Sequence, residues 1–132
     1  MSKEHVWPNW LRKHYKSEKG DAYIIASFDV DDSLSNRSLS NSNERQGSLI
    51  TKKVRAVCRS CNHGWMSSLE ESVKPILTDF ILNKNNTITS DQFADLSLWA
   101  VVKVVVVEHS SKNIALTPSS DRYKIFQESK IP

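Results

Sequence analysis

The stretch "VRAVCRSCNHGWMSSLE", residues 54–70, holds a change of period, two cysteines and the start of a helical pattern. With the preceding "SLITKK" (48–53) its first part has strand composition. Alternation puts Ile50, Lys52, Val54, Ala56 and Cys58 on one side and Lys53, Arg55 and Val57 on the other. The first, mostly apolar set is expected to face a core, and Lys53 and Arg55 to face out. Cys58-Arg59-Ser60-Cys61 then has the spacing of half a zinc site or of a redox pair. Beyond it, "SSLEESVKPILTDFILN" (67–83) reads as helix. Ser67 and Glu70 fit a capping box, with a start nearer Asn62 as the alternative. Pro75 is expected to kink this helix or begin a second one. Strand, knuckle and helix in succession indicate an α+β fold.

Working outward, "KEHVWPNWL" (3–11) puts a carboxylate beside a histidine just before a proline suited to the first turn of a helix. A short helix is predicted over 8–16, with Trp7, Trp10, Leu11 and Tyr15 near one stripe. "AYIIASFDV" (22–30) has strand composition, and the Ser- and Asn-rich segment 31–47 lacks apolar periodicity and is predicted to be a mobile loop. A polar turn at 83–89 precedes "SDQFADLSLWAVVKVVVVEHS" (90–110). That segment is predicted helical, with Ser90 as N-cap and an apolar face of Phe93, Leu96, Trp99, Ala100 and Val104, although its valines pull toward strand. Pro118 and Ser119 are expected to start a last helix. The expected organisation is a core over residues 1–70 and a helical extension over 71–132 that packs on it.

At 132 residues the chain is the size of one domain, small enough for a metal to help hold it. Its apolar and charged fractions are ordinary for a globular protein, and no apolar run has the roughly 18 residues that cross a bilayer. No membrane partner is expected. The first residues lack the apolar core of a signal peptide, so a cytoplasmic location is expected. A net charge of +3 is weak evidence for a polyanion, but placement says more. Arg12, Lys13, His14 and Lys16 follow the Glu-His pair, and Lys52, Lys53, Arg55 and Arg59 lead into the cysteines.

The residues themselves suggest a division of labour. Glu4 offers a carboxylate to a hard cation, and His5 a neutral imidazole that takes a proton from water. Asn62 offers an amide oxygen to the same cation, from a backbone fixed by the knuckle. Each part alone is ordinary, since an isolated histidine is usually a surface residue. A tetrahedral zinc at Cys58 and Cys61 would need two more ligands: histidines or carboxylates, with His14 and His109 among the choices, or groups from a partner chain; otherwise they are missing and the knuckle is metal-free. The tryptophans at 7, 10, 65 and 99 lie beside Leu and Met, which favours core packing over base stacking.

Taken together, Glu4-His5-Val6-x-Pro8 and, later, Val57-Cys58-x-x-Cys61-Asn62 resemble the HNH, or His-Me finger, nucleases. "GWMSSLE" (64–70) is similar to a bacterial and phage subgroup of that family. The likeness covers residues 3–69, and the segment around Trp99 fits more loosely. It implies a small ββα-metal core followed by a mainly helical region, and a DNA endonuclease in which His5 is the general base. It implies that Glu4 and Asn62 hold one Mg²⁺ or Mn²⁺, with His63 an alternative ligand. Cys58 and Cys61 would be two ligands of a structural Zn²⁺, and Lys53, Arg55 and Arg59 would contact DNA phosphates. Asn36, Asn41 and Asn43 are candidates for the middle residue of the motif. Relatives carry another Cys-x-x-Cys before the Glu-His pair, so a member shortened at its N-terminus is expected. The alternative expectation is a catalytically inactive nucleic-acid-binding protein. A thiol redox protein is disfavoured by the absence of a βαβ pattern.

Overall fold

The computed structural model describes residues 2–15, 21–30, 37–84, 87–109 and 117–128. Its fold is α+β. Strand β1 (Ser2–His5) pairs antiparallel with β4 (Lys53–Val57), and β2 (Ala22–Val30) pairs antiparallel with β3 (Arg37–Gln46). The helices are α1 (Arg59–His63), α2 (Trp65–Ile81), α3 (Ser90–Glu108) and α4 (Ser119–Glu128), with short 3-10 turns at Asn9–Lys13 and Leu49–Thr51. No helix among the described residues is long and apolar enough to cross a membrane.

The first correction concerns β4. Val54 and Val57 are both buried although three residues apart, which simple alternation forbids. Ser2 opposes Val57 while Lys3 opposes Arg55, so Ala56 is an extra residue on the β4 side. Such a bulge resets the alternation and lets both valines reach the core. Cys58, expected inward, is exposed instead.

The second correction concerns residues 31–47. Residues 37–46 are a strand, not a loop; 31–36 lie outside the described residues. Its ladder with β2 runs from Ala22↔Gln46 to Val30↔Arg37, with an irregularity at Ser27/Phe28. The residues from Ser42 to Gln46 are all exposed, so no buried face imposes a period-two pattern on the sequence. Lys52 lies over the Tyr23 ring at 5.1 Å, a cation–π contact between the start of β4 and this ribbon.

Downstream, the expected capping box at Ser67 is absent, and α2 starts at Trp65. Gly64 is needed there because a Cβ would stand 2.7 Å from the Ser60 carbonyl oxygen. Helix α2 also runs through Pro75 instead of breaking. Pro75 and Glu71 are exposed, so the Glu71 carbonyl that Pro75 leaves without a donor lies on the solvent side.

The valine run is helical, but with a different inner face from the one predicted. Trp99, Val102, Lys103, Val105 and Val106 are buried, whereas Phe93, Ala100 and Val104 are exposed. A helix apolar nearly all round offers little contrast for choosing a face from sequence. One core joins Val6, Val54, Val57, Cys61 and Met66 to Val102 and Val106, and a second joins Leu69, Val73 and Trp99. The β1–β4 pair and the knuckle are thus packed directly on α3.

The cap of α3 is Thr89, not Ser90: Gln92 N–H donates to Thr89 Oγ1 at 3.2 Å, and Thr89 N–H to Gln92 Oε1 at 2.9 Å. Thr89→Ala should therefore lower stability by about 1 kcal/mol, and Ser90→Ala by less than about 0.5 kcal/mol. Urea unfolding of the two variants measures this, and equal or reversed effects would contradict the cap assignment.

Candidate functional site

Alternation along β1 sends Glu4 toward the core and Lys3 and His5 to the opposite face. Glu4 is 8% exposed and meets Lys103 of α3, itself 7% exposed. Lys103 Nζ donates to Glu4 Oε1 at 2.7 Å, to the His5 carbonyl at 3.3 Å and to Glu70 Oε2 at 3.3 Å. An ammonium has three N–H donors, and here each has an acceptor. Burial pushes the Glu70 carboxyl above the usual carboxylate range, while Lys103 pulls it back.

The knuckle is joined to the same strand. Asn62 Nδ2 donates to Ser2 Oγ at 2.9 Å and to the Lys3 carbonyl at 3.2 Å. The start of α1 is set by Cys58, whose Sγ accepts from the Cys61 N–H at 3.0 Å. Glu4, His5, Asn62, His63, Glu70 and Lys103 together border one cavity of about 320 Å³.

Of the residues singled out from sequence, Glu4, His5, Asn62 and His63 are thus brought together. Lys53, Arg55 and Arg59 lie outside the cavity and are exposed. In the β1–β4 ladder Lys3 stands opposite Arg55 and His5 opposite Lys53, so one face carries a row of basic groups. Like charges facing each other across a ladder cost stability unless an anion intervenes.

Cys58 and Cys61 carry thiols, one exposed and one buried. Among the described residues no group of three His, Cys, Asp or Glu side chains is near enough to hold a metal. His14 lies edge-on to Trp10 with ring centroids 6.3 Å apart, and His109 is bonded to the Val105 carbonyl at 2.8 Å and to Arg122 at 3.1 Å. Neither completes a zinc set, so two thiolates alone do not fit a tetrahedral zinc. Oxygen donors are also present near the knuckle, although no three of the acidic, histidine or cysteine side chains among the described residues come together as a metal set. Glu4 and Glu70 gather round the Lys103 ammonium, and Asn62 lines the same cavity. Of the candidates for the middle residue, Asn36 and the Asn41 side chain lie outside the described residues; Asn43 is on β3 and does not border the cavity.

Lys103 and Glu70 were not assigned to the site from sequence. The usable signal was Lys103 itself, the lone charge between Asp95 and Glu108 in an apolar helix, since a buried charge requires a partner. Trp10 and Trp65 are half-buried and Trp99 is buried, while Trp7 is exposed. Packing accounts for the first three.

His5 Nδ1 is buried and has no hydrogen-bond partner among the described residues. Desolvation lowers the His5 pKa below the ordinary histidine value, Lys53 lowers it further, and Glu4 opposes both. Comparison with known proteins finds no family model that matches the chain, no similar curated protein and no similar solved structure.

A group whose pKa falls on folding binds fewer protons in the folded state, so this part of the stability is complete above the ordinary histidine pKa and is lost as pH drops below it. In an NMR titration the His5 ring should have its midpoint below about 6.5, and Lys53→Gln should raise that midpoint. A midpoint above the ordinary value, or one indifferent to Lys53, would contradict the electrostatic account.

Proposed function

We propose that this chain is a metal-dependent endonuclease of the HNH type that hydrolyses phosphodiester bonds in DNA. The observation that carries the reading is that the Glu4-His5 pair and Asn62, distant in sequence, line one cavity, with Glu4 on the core face of β1 and His5 on its other face. The basic face formed by Lys3, Lys53 and Arg55 supports it, because it supplies the charge that a phosphate backbone neutralises.

His5, neutral at physiological pH, accepts a proton at Nε2 from the attacking water. The water oxygen bonds to phosphorus as the bond from phosphorus to the leaving oxygen breaks. Glu4 and the Asn62 Oδ1 would hold a divalent cation, with His63 beside them, and that cation supplies charge neutralisation at the phosphate and the leaving oxygen. Asn62, tied through Nδ2 to β1, keeps its oxygen in register with Glu4. Lys53, Arg55 and, from the start of α1, Arg59 contact phosphates and fix register without reading sequence.

A second reading is a non-catalytic DNA-binding protein, and one observation favours it: the Lys103 ammonium already neutralises Glu4. The two readings part in a single assay. The nuclease should nick plasmid with Mg²⁺ or Mn²⁺, and His5→Ala should lower the rate by roughly 10²–10⁴-fold with binding retained. In the same material, Lys53→Ala and Arg55→Ala should each reduce the salt slope of binding by about one. Undiminished cutting by His5→Ala would discard the base, and salt-dependent binding without cutting in either metal would establish the second reading.

A further inference from the structure

We infer that Cys58 and Cys61 form a thiol–disulfide exchange site, with Cys58 as the attacking sulfur, Cys61 as the resolving one and a small-molecule disulfide as the substrate. The inference concerns the knuckle alone and stands independently of the nuclease reading. It requires no oxidoreductase fold, only two thiols at one helix start with unequal access to solvent.

That inequality is the first observation. Cys58 is exposed, whereas Cys61 is 9% exposed and lies in the core with Val57 and Met66. An incoming disulfide can therefore reach one sulfur and not the other. The second observation is the hydrogen bonding of the outer sulfur. Cys58 Sγ accepts from the Cys61 N–H at 3.0 Å, and the Ser60 hydroxyl lies 3.2 Å away. An N–H aimed at sulfur favours the thiolate, which is the form that attacks. The third is reach: Cys58 caps α1 and Cys61 is the third residue of that helix. One helical turn separates two Cα atoms by about 5 Å, inside the span that a disulfide bridges.

Exchange runs in two steps. The Cys58 thiolate attacks one sulfur of R–S–S–R, a mixed disulfide forms and one R–S⁻ leaves. Cys61, having given its proton to solvent, then attacks the Cys58 sulfur; the Cys58–Cys61 bond forms and the second R–S⁻ leaves. The two leaving thiolates take up the two protons that the cysteines released, so two protein thiols are oxidised and one small disulfide is reduced to two thiols. Bridging draws the Cys61 sulfur from the core toward Cys58. Asn62, the next residue, is bonded to Ser2 and Lys3, so the oxidation state of the knuckle is transmitted to β1.

Glutathione disulfide tests this on the full chain, whose two cysteines make every thiol event assignable by mass. Reduced protein, treated and then quenched with N-ethylmaleimide, should lose both alkylatable thiols to one intramolecular disulfide. Cys61→Ala should stop at a glutathione adduct on Cys58. Cys58→Ser, which keeps a capping hydroxyl, should react at least about tenfold more slowly than the parent. In NMR spectra of the parent, the Asn62 side-chain amide signals should shift between the reduced and oxidised protein. A parent that keeps both thiols, stops at the adduct or links two chains overturns the inference, as does Cys58→Ser reacting as fast as the parent. A disulfide that leaves the Asn62 signals in place overturns the transmission to β1.

Discussion

A single buried ion pair, Lys103 with Glu4, sets the relation between the two ends of this molecule. Strand β1 is four residues long and is hydrogen-bonded on one side by β4. The Lys103 ammonium fixes it from the other direction, through a carboxylate and a backbone carbonyl. Removing Glu4 leaves Lys103 its contact with Glu70, whereas removing Lys103 leaves the buried Glu4 carboxylate unpaired, at about 3–5 kcal/mol. That is a large share of a small domain's stability. The same contact explains why α3 turns Lys103 inward when it could have turned any of several valines.

The position of His5 follows from this anchoring. With Glu4 committed to the core, alternation sends His5 to the opposite face, beside Lys53, where burial of the ring and the neighbouring cation both favour the neutral imidazole. Asn62 reaches the same strand from the knuckle side, through Ser2 and Lys3. Two independent tethers, one electrostatic and one a pair of neutral hydrogen bonds, therefore converge on four residues. The cost is a ladder in which Lys3 stands opposite Arg55 and His5 opposite Lys53.

Much of this was legible in the residues. A strand leading into the knuckle and the long helices followed from alternation and periodicity, although residues 49–51 of that predicted strand form a 3-10 turn; the grouping of Glu4, His5, Asn62 and His63 was suggested by the family resemblance. The strand at 37–46 was illegible because no face of it is buried where its exposure is described, and backbone pairing leaves no mark on side-chain choice. The bulge at Ala56 was hidden for a related reason: an inserted residue looks like ordinary alternation until the partner strand is known. Lys103 stood in plain view as a charge among valines, but its partner lay almost a whole chain away. Only the packing of α3 against β1 joins them. The Cys58 thiol, read as a metal ligand, is used here as the cap of a short helix.

The claim that everything else leans on is that Glu4 and Lys103 stabilise the fold jointly. A double-mutant cycle of Glu4→Gln and Lys103→Met, followed by urea unfolding, measures it directly. Lys103→Met should cost about 3–5 kcal/mol, and Glu4→Gln less, because Glu70 still pairs with Lys103. The double variant should cost less than their sum, by a coupling of about 2–3 kcal/mol. Costs that simply add, to within about 0.5 kcal/mol, would mean that the two groups do not hold each other and that β1 is placed by something else.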